Sequence, residues 1–177
     1  MKKLMGILCA GFLTGCHSAV LPPLKTVDKV DLSRFMGDWY VIAHIPTFAE
    51  RNAYNAVESY TLKPDGSIAT TFTFRKGGFD GEKRRMTPTG FIRDRESNAH
   101  WGMQFFWPFK ADYRITYLTG DYGITVIARQ KRDYVWVMAR TPQIEKAQRL
   151  AVEAHLKELG YDLTELRHVP QRWEREE

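Results

Sequence analysis

The side chains able to do chemistry are few and poorly placed for catalysis. Only two cysteines occur, Cys9 and Cys16, so beyond the first sixteen residues the 177-residue chain holds neither a thiol nucleophile nor a cysteine metal site. The five histidines (His17, His44, His100, His155 and His168) are scattered, and no two stand at metal-ligand spacing. No Ser/His/Asp constellation declares itself, and Asp133, between Arg132 and Tyr134, reads as a turn residue. The expectation is therefore no catalytic residue, no metal, no cofactor and no enzyme. Aromatic surface abounds instead: 10 Phe, 8 Tyr and 5 Trp make 13% of the chain. The chemistry such side chains offer is noncovalent, the removal of apolar surface from water.

Cys16 has a separate use. Met1-Lys2-Lys3 is a basic start, Leu4 to Leu13 carries no charge, and the run closes on Leu13-Thr14-Gly15-Cys16. That is the make-up of a secretory leader, too short to span a bilayer as a helix. Its last four residues resemble a bacterial lipobox, which implies loss of residues 1–15 and lipidation of Cys16. By the same resemblance, His17 rather than Asp in the next position implies the outer membrane, with the body facing the periplasm. Residues 16–30 would then be a lipidated, proline-containing tether and 31–177 one folded domain. Cleavage leaves 162 residues, and without Lys2 and Lys3 the net charge falls from +5 to +3. That is no nucleic-acid footprint.

Beyond the tether the pattern is short alternating or apolar runs between turn signals. The runs are Trp39 to Ile45, Val57 to Lys63, Ser67 to Arg75, Thr89 to Arg93, His100 to Phe106, Tyr113 to Thr119, Tyr122 to Arg129 and Asp133 to Arg140. Lys83-Arg84-Arg85 reads as a solvated hairpin tip. The period changes once, after Thr141-Pro142, where Ile144, Ala147, Leu150, Ala151, Ala154, His155 and Leu159 recur at helical steps up to Gly160. Thr141 suits an N-cap and Pro142 the first helical position. Leu166 to Val169 could add to a sheet edge. Eight strands with short connections must be antiparallel neighbours. The expected fold is all-β: an eight-stranded antiparallel up-and-down barrel, one C-terminal helix packed outside, and an interior wide enough for one small ligand.

Gly37-Asp38-Trp39-Tyr40 opens the first strand and Arg140 closes the last. A barrel end must be sealed by something bulky, and guanidinium over indole contributes about 0.5–2 kcal/mol. This spacing resembles the lipocalins, where such a Trp plugs the closed end and such an Arg lies across it. Phe105-Phe106-Trp107-Pro108-Phe109 with Tyr113, and Arg132-Asp133-Tyr134 through Ala139-Arg140-Thr141-Pro142, resemble segments of the bacterial outer-membrane lipocalins. The likeness spans Cys16 to Val169. Trp107 departs from it, standing where many relatives have a small residue.

Strand alternation assigns faces. Counted from Trp39, Val41, Ala43 and Ile45 face inward, and His44 faces the helix. Counted from Arg140, so do Met138, Trp136 and Tyr134. Phe72, Phe74, Tyr113, Ile115 and Tyr117 complete an apolar, aromatic lining. The resemblance implies a protein that binds fatty acids or lysophospholipids and stores or carries them in the envelope. A homodimer is compatible with it. The rivals are an envelope scaffold with a filled barrel and an enzyme that modifies small hydrophobes.

Overall fold

The computed structural model describes residues 21–173, so the expected leader and the lipidation site at Cys16 lie outside the described residues. A single helical turn, α1 (Leu32–Phe35), is capped by Asp31, whose carboxylate accepts from the Ser33 and Arg34 backbone N–H groups. It leads into β1 (Gly37–Ile45), β2 (Ala53–Leu62), β3 (Ile68–Lys76), β4 (Lys83–Met86) and β5 (Thr89–Ile92). Then follow β6 (His100–Phe106), β7 (Phe109–Leu118), β8 (Ile124–Ala128) and β9 (Val135–Ala139). All pairings are antiparallel, and β9 returns to β1 from Tyr40–Ala139 to Ile45–Val135, which closes the cylinder. β4 and β5 both pair with β3 and are two halves of one stave, broken around Thr87 and Pro88 because proline cannot donate to the ladder. The result is a closed eight-stave barrel in which the β4 half-stave is paired on one side only, with β3.

Three expectations need correction. Lys83-Arg84-Arg85 is not a hairpin tip but part of β4, paired with Arg75, Phe74 and Thr73 and exposed to water. The helix starts later than Thr141-Pro142: the Thr141 hydroxyl donates to the Gln143 carbonyl instead. α2 (Lys146–Glu158) is capped by Glu145, whose backbone N–H in turn donates to the Gln148 side chain. It ends where Gly160 takes φ +86°, a conformation that favours glycine. Finally, residues 22–30 do not hang free. The Pro22 carbonyl accepts from Gln130 and Arg132, the Val27 N–H donates to Ile115, and the Val30 N–H donates to Ser97. Leu24 and Val30 are buried. A two-residue strand, β10 (Arg167–His168), adds to β1 beside α2.

Two apolar cores result. One fills the barrel, around Trp39, Val41, Phe72, Trp101 and Met138. The other lies outside, where Val152 and Leu156 of α2 cover Ile42, Ala43, Ile45, Val126 and Val137. Which core a residue joins depends on two β-bulges, between Val41 and Ala43 and between Ile115 and Tyr117. Each inserts a residue and reverses the alternation beyond it.

Candidate functional site

The closed end is solid. The Arg140 guanidinium lies 3.8 Å from the Trp39 ring centroid and donates to the carbonyls of Asp38, Arg34, Phe35 and Met36 at 2.7–3.0 Å. The Trp39 indole N–H donates to the Phe35 carbonyl at 2.9 Å. Gly37 takes φ +91°, a backbone conformation that favours glycine; a Cβ there would meet the Arg140 guanidinium at an ordinary contact distance of 3.5 Å. Above this stopper, Phe35, Tyr60, Trp101 and Tyr113 fill the cross-section. Trp101 and Tyr113 stack at 5.0 Å, and the Tyr60 and Tyr113 hydroxyls are 2.5 Å apart.

The upper half holds a cavity of about 80 Å³ that opens at the far end. Phe72, Met86, Pro88, Met103, Phe105 and Ala111 supply apolar wall. Glu58 and Tyr113 line it beside the aromatic layer, and Thr47, Glu50, Asp112, Arg129 and Trp136 add polar groups. Glu58 sits opposite Trp39 and Phe72 in the sheet and is almost wholly buried. Burial pushes its carboxyl up to about 8; the Tyr60 hydroxyl acts in the opposite direction and the Glu50 charge adds to the rise. At neutral pH Glu58 is therefore mostly protonated and uncharged. Burial likewise raises the Tyr60 and Tyr113 phenols well above the usual tyrosine range.

Glu50 behaves differently. Burial would raise it, but His44, Thr47 and Trp136 together outweigh that and hold it below the usual carboxylate range. The Trp136 indole N–H donates to Glu50 at 2.8 Å and the Thr47 hydroxyl at 2.7 Å, which ties the loop after β1 to the rim. The Asp112 carboxylate is engaged by His100, Arg114 and the Gln130 backbone N–H, and these contacts offset its partial burial to hold it below the usual range. Arg129 is the one cation lining the cavity among the described residues. Its Nε is buried without a hydrogen-bond partner, 3.4 Å from Asp133, and its guanidinium stands 5.1 Å from the Tyr134 ring.

Of the residues read as lining, Phe72, Tyr113 and Trp136 border the cavity. Val41, Phe74, Ile115 and Met138 face inward but are packed in the barrel core rather than on the cavity wall. Ala43, Ile45 and Tyr117 do not face inward: the two bulges turn them outward under α2. The same reversal turns His44 from the helix side to the interior, opposite Trp136 and 3.7 Å from Glu50. Tyr134 precedes β9 and flanks Trp136 at the rim, with ring centroids 6.4 Å apart, without lining the cavity. Alternation missed the other polar lining groups. Glu58 alone carried a signal, two residues before Tyr60 on the same face of one strand.

A closed antiparallel barrel, stoppered at one end by a Trp–Arg pair and open at the other, defines a class of small-ligand cups. The family model for the lipocalin-like domain matches residues 30–171, and the chain belongs to that family. It is 29% identical to temperature-induced lipocalin-1 of Arabidopsis thaliana over 84% of this chain and 83% of the relative. It is 27% identical to outer membrane lipoprotein Blc of Citrobacter freundii over 92% of each, and 22% identical to apolipoprotein D of Bos taurus over 81% of this chain and 78% of that one. In fold it resembles insecticyanin of the tobacco hornworm Manduca sexta, with a TM-score of 0.67, 16% identity and coverage of 87% and 86%.

Proposed function

We propose that this lipocalin binds single-chain amphiphiles, fatty acids or lysophospholipids, and holds or carries them in the cell envelope while anchored to the outer membrane through lipid on Cys16. The supporting observation is the open half-barrel, whose apolar wall ends in polar groups at the rim, the usual make-up of a small-molecule site. An acyl tail lies against Phe72, Met86, Met103 and Phe105 and reaches toward neutral Glu58. The carboxylate or phosphate head stays at the rim, near Arg129. The cavity is smaller than the roughly 300–1,000 Å³ common for ligand pockets, so a long tail enters only as the wall side chains move apart. Met86 and Met103 are suited to that, having unbranched, flexible side chains. Among the described residues no helix is long and apolar enough to cross a membrane. Its name, outer membrane lipoprotein, makes the Citrobacter relative consistent with this placement.

The cavity's small volume favours a second reading, a filled barrel that acts through contacts with partners. One titration separates them. A fluorescent fatty acid added to protein freed of residues 1–16 saturates at one per barrel and is displaced by unlabelled lysophospholipid if the cup is a lipid site. No competition by any long-chain amphiphile would reject that reading and leave the filled barrel.

A further inference from the structure

The inner end of the cavity holds more hydrogen-bond donors than acceptors. Glu58, Tyr60 and Tyr113 meet there and are 9%, 1% and 4% exposed. Tyr60 stands in the middle: its hydroxyl is 2.5 Å from that of Tyr113 and lies against the Glu58 carboxyl. Tyr113 is hydrogen-bonded to Tyr60 and not to Glu58. Glu58 and Tyr113 line the cavity, whereas Tyr60 does not.

The hydrogens can be counted. At neutral pH the three groups carry three O–H hydrogens, because Glu58 keeps its proton. Two contacts in a row use two of them. If the bonds run from Tyr113 through Tyr60 to the carboxyl, the Glu58 O–H is left over; if they run the other way, the Tyr113 O–H is. In both cases the spare donor belongs to a residue on the cavity wall. The side chains of Phe72, Met86, Pro88, Met103 and Phe105 offer it nothing stronger than a thioether sulfur. The nearby carboxylates are engaged elsewhere, Glu50 by Thr47 and Trp136, and Asp112 by His100, Arg114 and the Gln130 backbone N–H.

A plain hydrocarbon tail laid against this donor takes it from water and gives it no partner, which is unfavourable. An oxygen on the tail supplies the missing acceptor. We infer that Glu58 and Tyr113 form a hydrogen-bond donor subsite at the inner end of the cup, which selects acyl chains carrying a keto or hydroxyl oxygen in the tail over plain chains. Such selection rests on the cup being a lipid site, as proposed above. It adds a second polar contact, deep in the barrel, to the one that Arg129 offers the head at the rim.

The test is competition against a fluorescent fatty acid bound to the whole chain, isolated from its membrane and stripped of lipid. Octadecanoic acid is compared with a series of octadecanoic acids that carry one keto or one hydroxyl oxygen at successive positions along the tail. At pH 6.5 the best-placed keto and hydroxyl chains should each bind about 5–20-fold more tightly than the plain chain, although the added oxygen makes them less hydrophobic. Equal affinities for the plain chain and every oxygenated one would overturn the subsite and leave the lipid reading standing. Failure of all of them to compete would overturn both. At pH 9.5, above the Glu58 value of about 8, the carboxylate accepts from Tyr60 and Tyr60 from Tyr113, so no donor is left over. Both phenols stay protonated there, because burial holds them well above the usual tyrosine range. The keto preference should then disappear, while the hydroxyl chain, which can donate to the carboxylate, keeps its own. A keto preference unchanged at pH 9.5 would overturn the assignment. Glu58→Met combined with Tyr113→Phe removes both donors from the wall and should bring the keto-to-plain ratio at pH 6.5 to within about twofold of unity. A ratio kept in that folded variant would overturn the subsite too, and the native chain at pH 9.5 gives the same reading if the variant does not fold.

Discussion

The two halves of the barrel are built from the same eight staves and do opposite things with them. In the closed half the buried polar groups are paired: the Trp39 N–H, the Arg140 guanidinium and the phenols of Tyr60 and Tyr113 all find partners within it. The open half keeps a cavity, a neutral buried carboxyl, an Arg129 Nε without a hydrogen bond and aromatics turned out to water. A barrel gains stability from filling its interior and loses the ability to hold a ligand by the same act. The lesson is a division of labour along one axis, with stability concentrated at the stopper and adaptability at the mouth.

Substitutions should separate the halves by size and by kind of effect. Trp39→Ala removes one of the two fully buried tryptophans among the described residues and should cost about 3–5 kcal/mol, read as a fall of roughly 10 °C in Tm. An unchanged Tm would mean that the stopper does not carry the fold. Arg140→Met leaves four backbone carbonyls without their donor, and thermal melts should show a loss of roughly 2–3 kcal/mol, smaller than for Trp39.

The mouth should answer to pH instead. The ordinary value for the Glu58 carboxyl is 4.5 and its folded value is about 8, so between those limits the folded chain keeps a proton that the unfolded chain has released. Stability from this group therefore falls as pH rises from about 4.5 to about 8, by at most ~1.4 kcal/mol per pH unit, and then levels. Denaturant titrations at pH 5.5 and 7.5 should show that slope, and Glu58→Gln should remove it. A parallel slope in the variant would contradict the assignment. Ligand binding should also weaken above pH 8 in the native chain alone, as the negative charge forms beside the tail.

The smallest effect belongs to the rim. Arg129→Gln should weaken a fatty acid or lysophosphatidate about 5–20-fold, the loss of one charge-assisted contact, and leave an uncharged monoacylglycerol unchanged. Equal losses for both ligands would place the head elsewhere.

The closed half was legible because its parts are local and paired: Gly37-x-Trp39, and Arg140 at the end of the last strand. The strand count and the helix were legible from periodicity. The mouth was not. Ala43, Ile45, Tyr117 and His44 were assigned to the wrong faces because each bulge reverses the count without a glycine to mark it, in Val41-Ile42-Ala43 and in Ile115-Thr116-Tyr117. Glu50, Arg129 and Asp112 reach the cavity through pairings made far along the chain, which no periodicity encodes. Lys83-Arg84-Arg85 looked like a loop by composition because three basic residues follow directly on Asp80-Gly81-Glu82.

The central claim is that the open half holds one lipid tail, and native mass spectrometry of the protein isolated from its own membrane tests it most directly. The account predicts one adduct with the mass of a single-chain amphiphile per chain. It further predicts that Ala111→Phe, which fills the cavity from its wall, abolishes the adduct while shifting Tm by only a few degrees. A native chain that carries no lipid, or an adduct that persists undiminished in Ala111→Phe, would contradict it.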